Sequence, residues 1–148
     1  MAVGNFTLYN TGKEALLTDN ANQITWATDT IVAVLLGNGY TPAATHSTWA
    51  DVSAQHVSGT NYAPVALTNK TSVRSTGTIL WDCDDINFGA NVTVTAKYVA
   101  IVKRVGGSLT GTDQLIGYCD LENASGAATV SSTNSTFQVN TTAGLFDI

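Results

Sequence analysis

The residues best placed to do chemistry lie in ILWDCDDINF, residues 79–88, where Asp82, Asp84 and Asp85 surround Cys83. In an extended chain alternate side chains share a face, so Asp82 and Asp84 point the same way as Leu80, about 7 Å apart, while Trp81 and Cys83 take the other face. Carboxylates at that spacing suit glycoside hydrolysis, provided that one of them sits in an apolar pocket that raises its pKa. Adjacent aspartates near a turn are ordinarily both solvated. The expectation is therefore that Trp81 and Cys83 face the core and that the acidic trio leads into a turn at Asn87 and Gly89.

Other chemistries fit less well. A calcium loop of EF-hand type needs oxygen donors at its first, third and fifth positions, Gly at the sixth and Glu at the twelfth. Counted from Asp82, those last three are Ile86, Asn87 and Thr93. An irregular calcium site completed by backbone carbonyls stays open. His46, His56, Cys83 and Cys119 lack the short spacings of a zinc site. There is no G-x-S-x-G elbow to expose a serine nucleophile and no G-x-x-x-x-G-K loop to cradle phosphates. In GYCDL, Leu115, Gly117 and Cys119 read as one strand face and Tyr118 as the other, which makes Cys119 a packing residue. The two cysteines are expected to be free, buried thiols. Trp26 and Trp81 lie in apolar strand patterns and belong to the core. Trp49 is the best surface candidate, and with Tyr40 and Tyr62 it could form the exposed aromatic face of a carbohydrate-binding module.

The elements that must position these residues are mostly strands. NTGKEALLTD predicts a short amphipathic helix capped by Asn10 or Thr11, with Glu14 in its first turn and Ala15, Leu16 and Leu17 on its apolar side; Gly12 weakens it. ITWATDTIVAVLLGNGY reads as a strand that alternates from Ile24 and becomes continuously apolar from Ile31, as a strand at the centre of a sheet does. Residues 41–62 are irregular, with one helical turn at STWADV. Strand-like stretches follow in APVALTN, SVRSTGTILWDC, VTVTAKYVAIVKRV, QLIGYCDL and STFQVN, separated by turns such as RVGGSLTGTD and ENASG. No connection supplies the helices that parallel β-α-β units require. The fold class expected is all-β, a sandwich or jelly roll with a short N-terminal helix, formed by residues 1–148 as one domain.

Composition agrees. Charged residues are 11% of the chain, against about 25% in typical soluble domains, and Thr, Ser and Asn supply the polar surface, Thr suiting a pleated one. A net charge of −5 with six Lys and Arg denies nucleic acid the basic stripe it needs. The longest apolar run, IVAVLL, is far short of a membrane span. MAVGNFTLYN has neither the basic region nor the apolar core of a signal peptide, so folding in a cytosol is expected. The sequons at Asn69 and Asn134 are what a Thr- and Asn-rich chain produces by chance.

The segments LYNTGKEALLT, DTIVAVLLGNGYTP, VSGTNYAP, LTNKT, DCDDINF, YVAIVKR, LIGYCDLE and STNSTFQVN, taken in series, resemble a group of small virion proteins of tailed bacteriophages, among them capsid decoration, or cement, proteins. The likeness spans nearly the whole chain. It departs from the group at Gly12 and at Cys83, where the related segment more often reads DADD. The resemblance implies a jelly-roll-like, non-enzymatic subunit without cofactor, made in the host cytoplasm. It would sit on the outer surface of the head, contact the major capsid protein and self-associate, with a trimer favoured. A place in the tail, neck or fibre is the alternative. Residues expected at its interfaces are Phe6, Leu8 and Tyr9, Tyr40, Trp49 and Tyr62, and Leu145 and Phe146, although the two apolar ends could equally close the subunit's own core.

Overall fold

A computed structural model describes residues 6–18, 22–122, 128–141 and 144–147. The turn expected at ENASG falls mostly outside them. In chain order the elements are β1 (Thr7–Leu8), α1 (Asn10–Leu17), β2 (Ile31–Leu36), two single-turn 3-10 helices (Trp49–Asp51 and Ser53–Gln55), β3 (Val65–Ala66), β4 (Thr71–Ser75), β5 (Thr78–Asp82), β6 (Ile86–Asn87), β7 (Val92–Ala96), β8 (Tyr98–Lys103), β9 (Gln114–Asp120), β10 (Val130–Ser135), β11 (Gln138–Val139) and β12 (Phe146–Asp147). Every described strand pair is antiparallel. The protein is thus mostly β, with several antiparallel sheets and, among the described residues, one α-helix.

A five-stranded sheet in the order β1-β9-β8-β2-β3 organises the molecule. Ile31, Ala33 and Leu35 of β2, with Val99 and Ile101 of β8, pack against Trp81, Ile86, Phe88, Val92, Phe137 and Phe146 from the remaining strands. Val32, Val34 and Leu36, with Ala100 and Val102, meet Tyr9, Tyr40, Trp49 and Val52 on the opposite side. Both faces are covered, which is why β2 and most of β8 are apolar at every position instead of alternating. The irregular segment 37–57 is the cover of the second face.

β3 pairs only with Val32 and Ala33, leaving the rest of that edge of β2 to other groups. The Val57 amide donates to the Leu35 carbonyl, and the Leu35 amide donates to the Tyr62 hydroxyl at 2.8 Å. A side chain here does the work of a missing strand.

Several boundaries differ from those expected. The strand at β2 begins at Ile31, not Ile24, because Thr25–Asp29 closes into a turn in which the Asp29 carboxylate accepts the Thr25 amide at 2.8 Å. SVRSTGTILWDC is a hairpin, β4–β5, turning at Gly77 with φ +84°. VTVTAKYVAIVKRV breaks at Lys97: β7 alternates and pairs with β10, while β8 enters the central sheet. Lys97 is buried at this crossover, with its ammonium 2.9 Å from Asp120. The strand at 130–135 goes unread in the sequence, since five of its six residues are Ser, Thr or Asn.

The helix forms, but without the expected cap. Tyr9 occupies the capping position with no side-chain bond, and Asn10 and Thr11 are already helical. Tertiary acceptors replace the cap: the Tyr9 amide donates to Ile116 and the Asn10 amide to Ala44, each at 3.0 Å. Glu14 lies beyond the first turn. Gly12 is required, because a Cβ there would fall on the Ile116 carbonyl oxygen.

Candidate functional site

The acidic trio fastens loops. The Asp82 carboxylate accepts the Cys83 amide at 2.8 Å. Asp84 accepts the Thr68 hydroxyl at 3.0 Å and the Asn69 amide at 2.7 Å, which also occupies the side chain of that sequon. Asp85 accepts the Gln138 side chain at 3.0 Å and the Thr141 amide at 2.7 Å. Asp82 thus bonds within its own segment while Asp84 and Asp85 reach two others; Asp84 and Asp85 line one cleft of about 170 Å3, and Asp82 does not. Trp81 and Cys83 are buried, as the alternation required. Among the described residues, no three His, Cys, Asp or Glu side chains are gathered closely enough to hold a metal ion.

Cys83 and Cys119 are free thiols in the same core, and burial pushes both up to about 12. That holds them as inert packing groups at neutral pH. The faces of β9 differ from strict alternation. Ile101 pairs with Gly117 and Val102 with Leu115, so Ile116 is an extra residue in the ladder. This bulge shifts the phase by one, placing Leu115 with Tyr118 on one side and Ile116 with Cys119 on the other.

Of the eight residues expected at an interface, Leu8, Tyr9, Tyr40, Trp49, Leu145 and Phe146 are buried within the chain, and Phe6 and Tyr62 are half-buried against its core. The two apolar ends close this subunit's own core. Trp49 is not a surface platform but 7% exposed, packed edge-on against His56 with centroids 5.4 Å apart. The reason is the central sheet: among the described residues no second sheet covers its second face, and large side chains from the start of α1 and the loops do so. An exposed aromatic row of Trp49, Tyr40 and Tyr62 does not form.

A cluster that sequence reasoning missed lies there. Tyr9, Tyr40, Tyr98 and Tyr118 converge from the start of α1, the loop after β2, β8 and β9, with ring centroids 5.2–6.3 Å apart. The Tyr9 and Tyr40 hydroxyls are 2.6 Å apart, and Tyr40 reaches His46 Nδ1 at 3.1 Å. Desolvation raises the pKa of Tyr9 and that of Tyr40, the latter to about 12. Neutral phenols of this kind rigidify a core. The signal in the sequence was that four of the five tyrosines (all but Tyr62) flank segments of the central sheet.

Large apolar side chains are exposed at Leu17, at Val105 and in the β4–β5 hairpin. In that hairpin Val73 is 55% and Ile79 37% accessible, on opposite faces, and among the described residues β4 ends its sheet. Among the described residues no helix is long and apolar enough to cross a membrane. The fold and these sites define a β-rich protein of packed antiparallel sheets. No protein-family model matches the chain, and neither curated proteins nor solved structures yield a significantly similar one.

Proposed function

We propose that this protein is a head cement protein of a tailed bacteriophage, a non-enzymatic subunit that binds the outer capsid surface and stabilises contacts between capsomers. The serial resemblance of its segments motivates this reading. The structural observation that carries it is the β4–β5 hairpin, a strand pair that puts apolar side chains, Val73 and Ile79, into solvent on opposite faces. Apolar side chains on both faces of the arm offer a neighbouring subunit surface to pack against. The outer edge of β4, which no described strand pairs, adds backbone donors and acceptors for strand addition. Low charge density reduces repulsion between crowded copies.

A jelly-roll form of the sandwich belongs to the same proposal. Supporting it are the pairings β7–β10, β6–β11 and β5–β12, in which successive middle strands meet successive C-terminal strands in reverse order. Self-association, with a trimer favoured, would let neighbouring hairpins share the contacts.

The test is reconstitution. Purified heads lacking the protein should retain their DNA to a higher temperature once it is added back, and cryo-electron microscopy should show it on the outer shell. Density on the tail alone, or equal thermal release with and without the protein, would overturn the reading.

A further inference from the structure

Arg104 follows β8 directly, its backbone amide held by the Thr30 carbonyl at 2.9 Å. Its side-chain Nε is buried and finds no hydrogen-bond partner among the described residues. An unsatisfied buried donor on a cation is costly, and a native fold rarely leaves one without a reason. Arg104 lines a cleft of about 390 Å3 whose other walls are Trp49, His56, Pro64, Gly107, Ser108 and Leu109. No carboxylate lines this cleft, in a chain with a net charge of −5.

The walls are fastened to each other in advance. The buried Asp113 carboxylate accepts the Val105 amide at 3.0 Å and the Thr110 amide at 2.7 Å, which shapes the loop after Arg104. The Asp113 carbonyl takes the Trp49 amide at 2.7 Å, tying the opposite wall to the same residue. His56 is packed against Trp49 and Tyr62, and desolvation lowers its pKa, so Arg104 supplies the cleft's positive charge at neutral pH.

We propose that this cleft binds a small organic acid, with its carboxylate on the Arg104 guanidinium and its apolar body against Trp49, Pro64 and Leu109. A guanidinium offers a planar fork that matches a carboxylate. A single positive charge balances a carboxylate's one negative charge and leaves a phosphate dianion half-compensated. The volume lies at the lower end of ligand pockets, which suits a compact acid.

The test uses the full chain and sodium benzoate as the probe, followed by NMR on the Arg104 Nε–H and Trp49 indole N–H signals. Benzoate should shift both saturably with a dissociation constant on the order of 1 mM, whereas benzamide and inorganic phosphate should leave them in place. Arg104→Gln should weaken binding by about ten- to a hundredfold, read at Trp49, and Arg104→Lys should recover only part of it because the fork is lost. Gly107→Phe adds bulk to the cleft at a position where a Cβ meets nothing within 4 Å, and should weaken benzoate with Arg104 intact. Three results would overturn the proposal: shifts that do not saturate, equal shifts with benzamide or phosphate, or an Arg104 signal that moves on dilution of the protein alone, which would assign the acceptor to a second copy.

Discussion

The hydroxyls of Tyr9 and Tyr40 meet at 2.6 Å inside the protein, joining the start of α1 to the loop that leaves β2. The bond closes a cover that no strand provides. Tyr9→Phe leaves Tyr40 bonded to His46 and should cost about 1 kcal/mol, as a typical buried hydrogen bond does. Changing both tyrosines to Phe should cost less than the sum of the single changes, since the double variant leaves neither hydroxyl orphaned. Urea denaturation of the four proteins measures this; strict additivity would mean that the two hydroxyls do not interact.

The same burial predicts an alkaline limit. The thiols of Cys83 and Cys119 and the Tyr40 hydroxyl are raised to about 12, and Tyr9 and Tyr62 are raised as well, chiefly by desolvation. In the unfolded chain cysteine loses its proton near 8.5 and tyrosine near 10. The unfolded state therefore releases protons first, so stability is intact below about pH 8 and declines as the pH climbs toward 12. The melting temperature should fall steeply across that window, with the tyrosinate absorbance appearing together with unfolding. A melting temperature that stays level to about pH 11 would contradict it.

On the acid side the group to watch is Asp51. Its carboxylate accepts the amides of Thr48 and Ser47 at 2.9 and 2.8 Å, closing a capping box around Trp49–Asp51, and these bonds lower its pKa. Because the folded pKa is the lower one, the stabilisation is complete above the ordinary carboxylate range and is lost as the pH falls through the folded value. Asp51→Ala should cost about 1 kcal/mol at neutral pH and progressively less as the medium is acidified. The difference between the two proteins, followed by denaturation at several pH values, checks the sign.

Gly12 offers a test in which local and tertiary preferences disagree. Alanine is the better helix former by about 1 kcal/mol, yet its methyl would collide with the Ile116 carbonyl on β9. Overpacking against backbone outweighs propensity, so Gly12→Ala should destabilise the protein by about 2 kcal/mol. A gain in stability would show that the helix does not lie so close to the sheet.

Much was legible in the sequence because short-range pattern carried it. The alternation through Trp81 and Cys83 placed them in the core, STWADV marked a helical turn, and the unbroken run from Ile31 to Leu36 announced a strand at the centre of a sheet. What covers that strand's second face was not legible. Nothing local distinguishes a Trp49 that seals a sheet from one that greets solvent, because burial is decided by partners distant in sequence. The same applies to Asp85, whose acceptor role exists only once residues 138–141 arrive beside it. It applies again to Cys119, whose face was reversed relative to Leu115 by a one-residue bulge that periodicity cannot foresee. By itself the sequence determined which stretches are apolar and where most of the buried strands run, since both follow from side-chain type and spacing, but not the polar strand at 130–135. Tertiary structure alone decided which polar groups staple which loops and left Arg104 facing a cleft, because those outcomes depend on pairing between segments that meet only when the sheet is assembled.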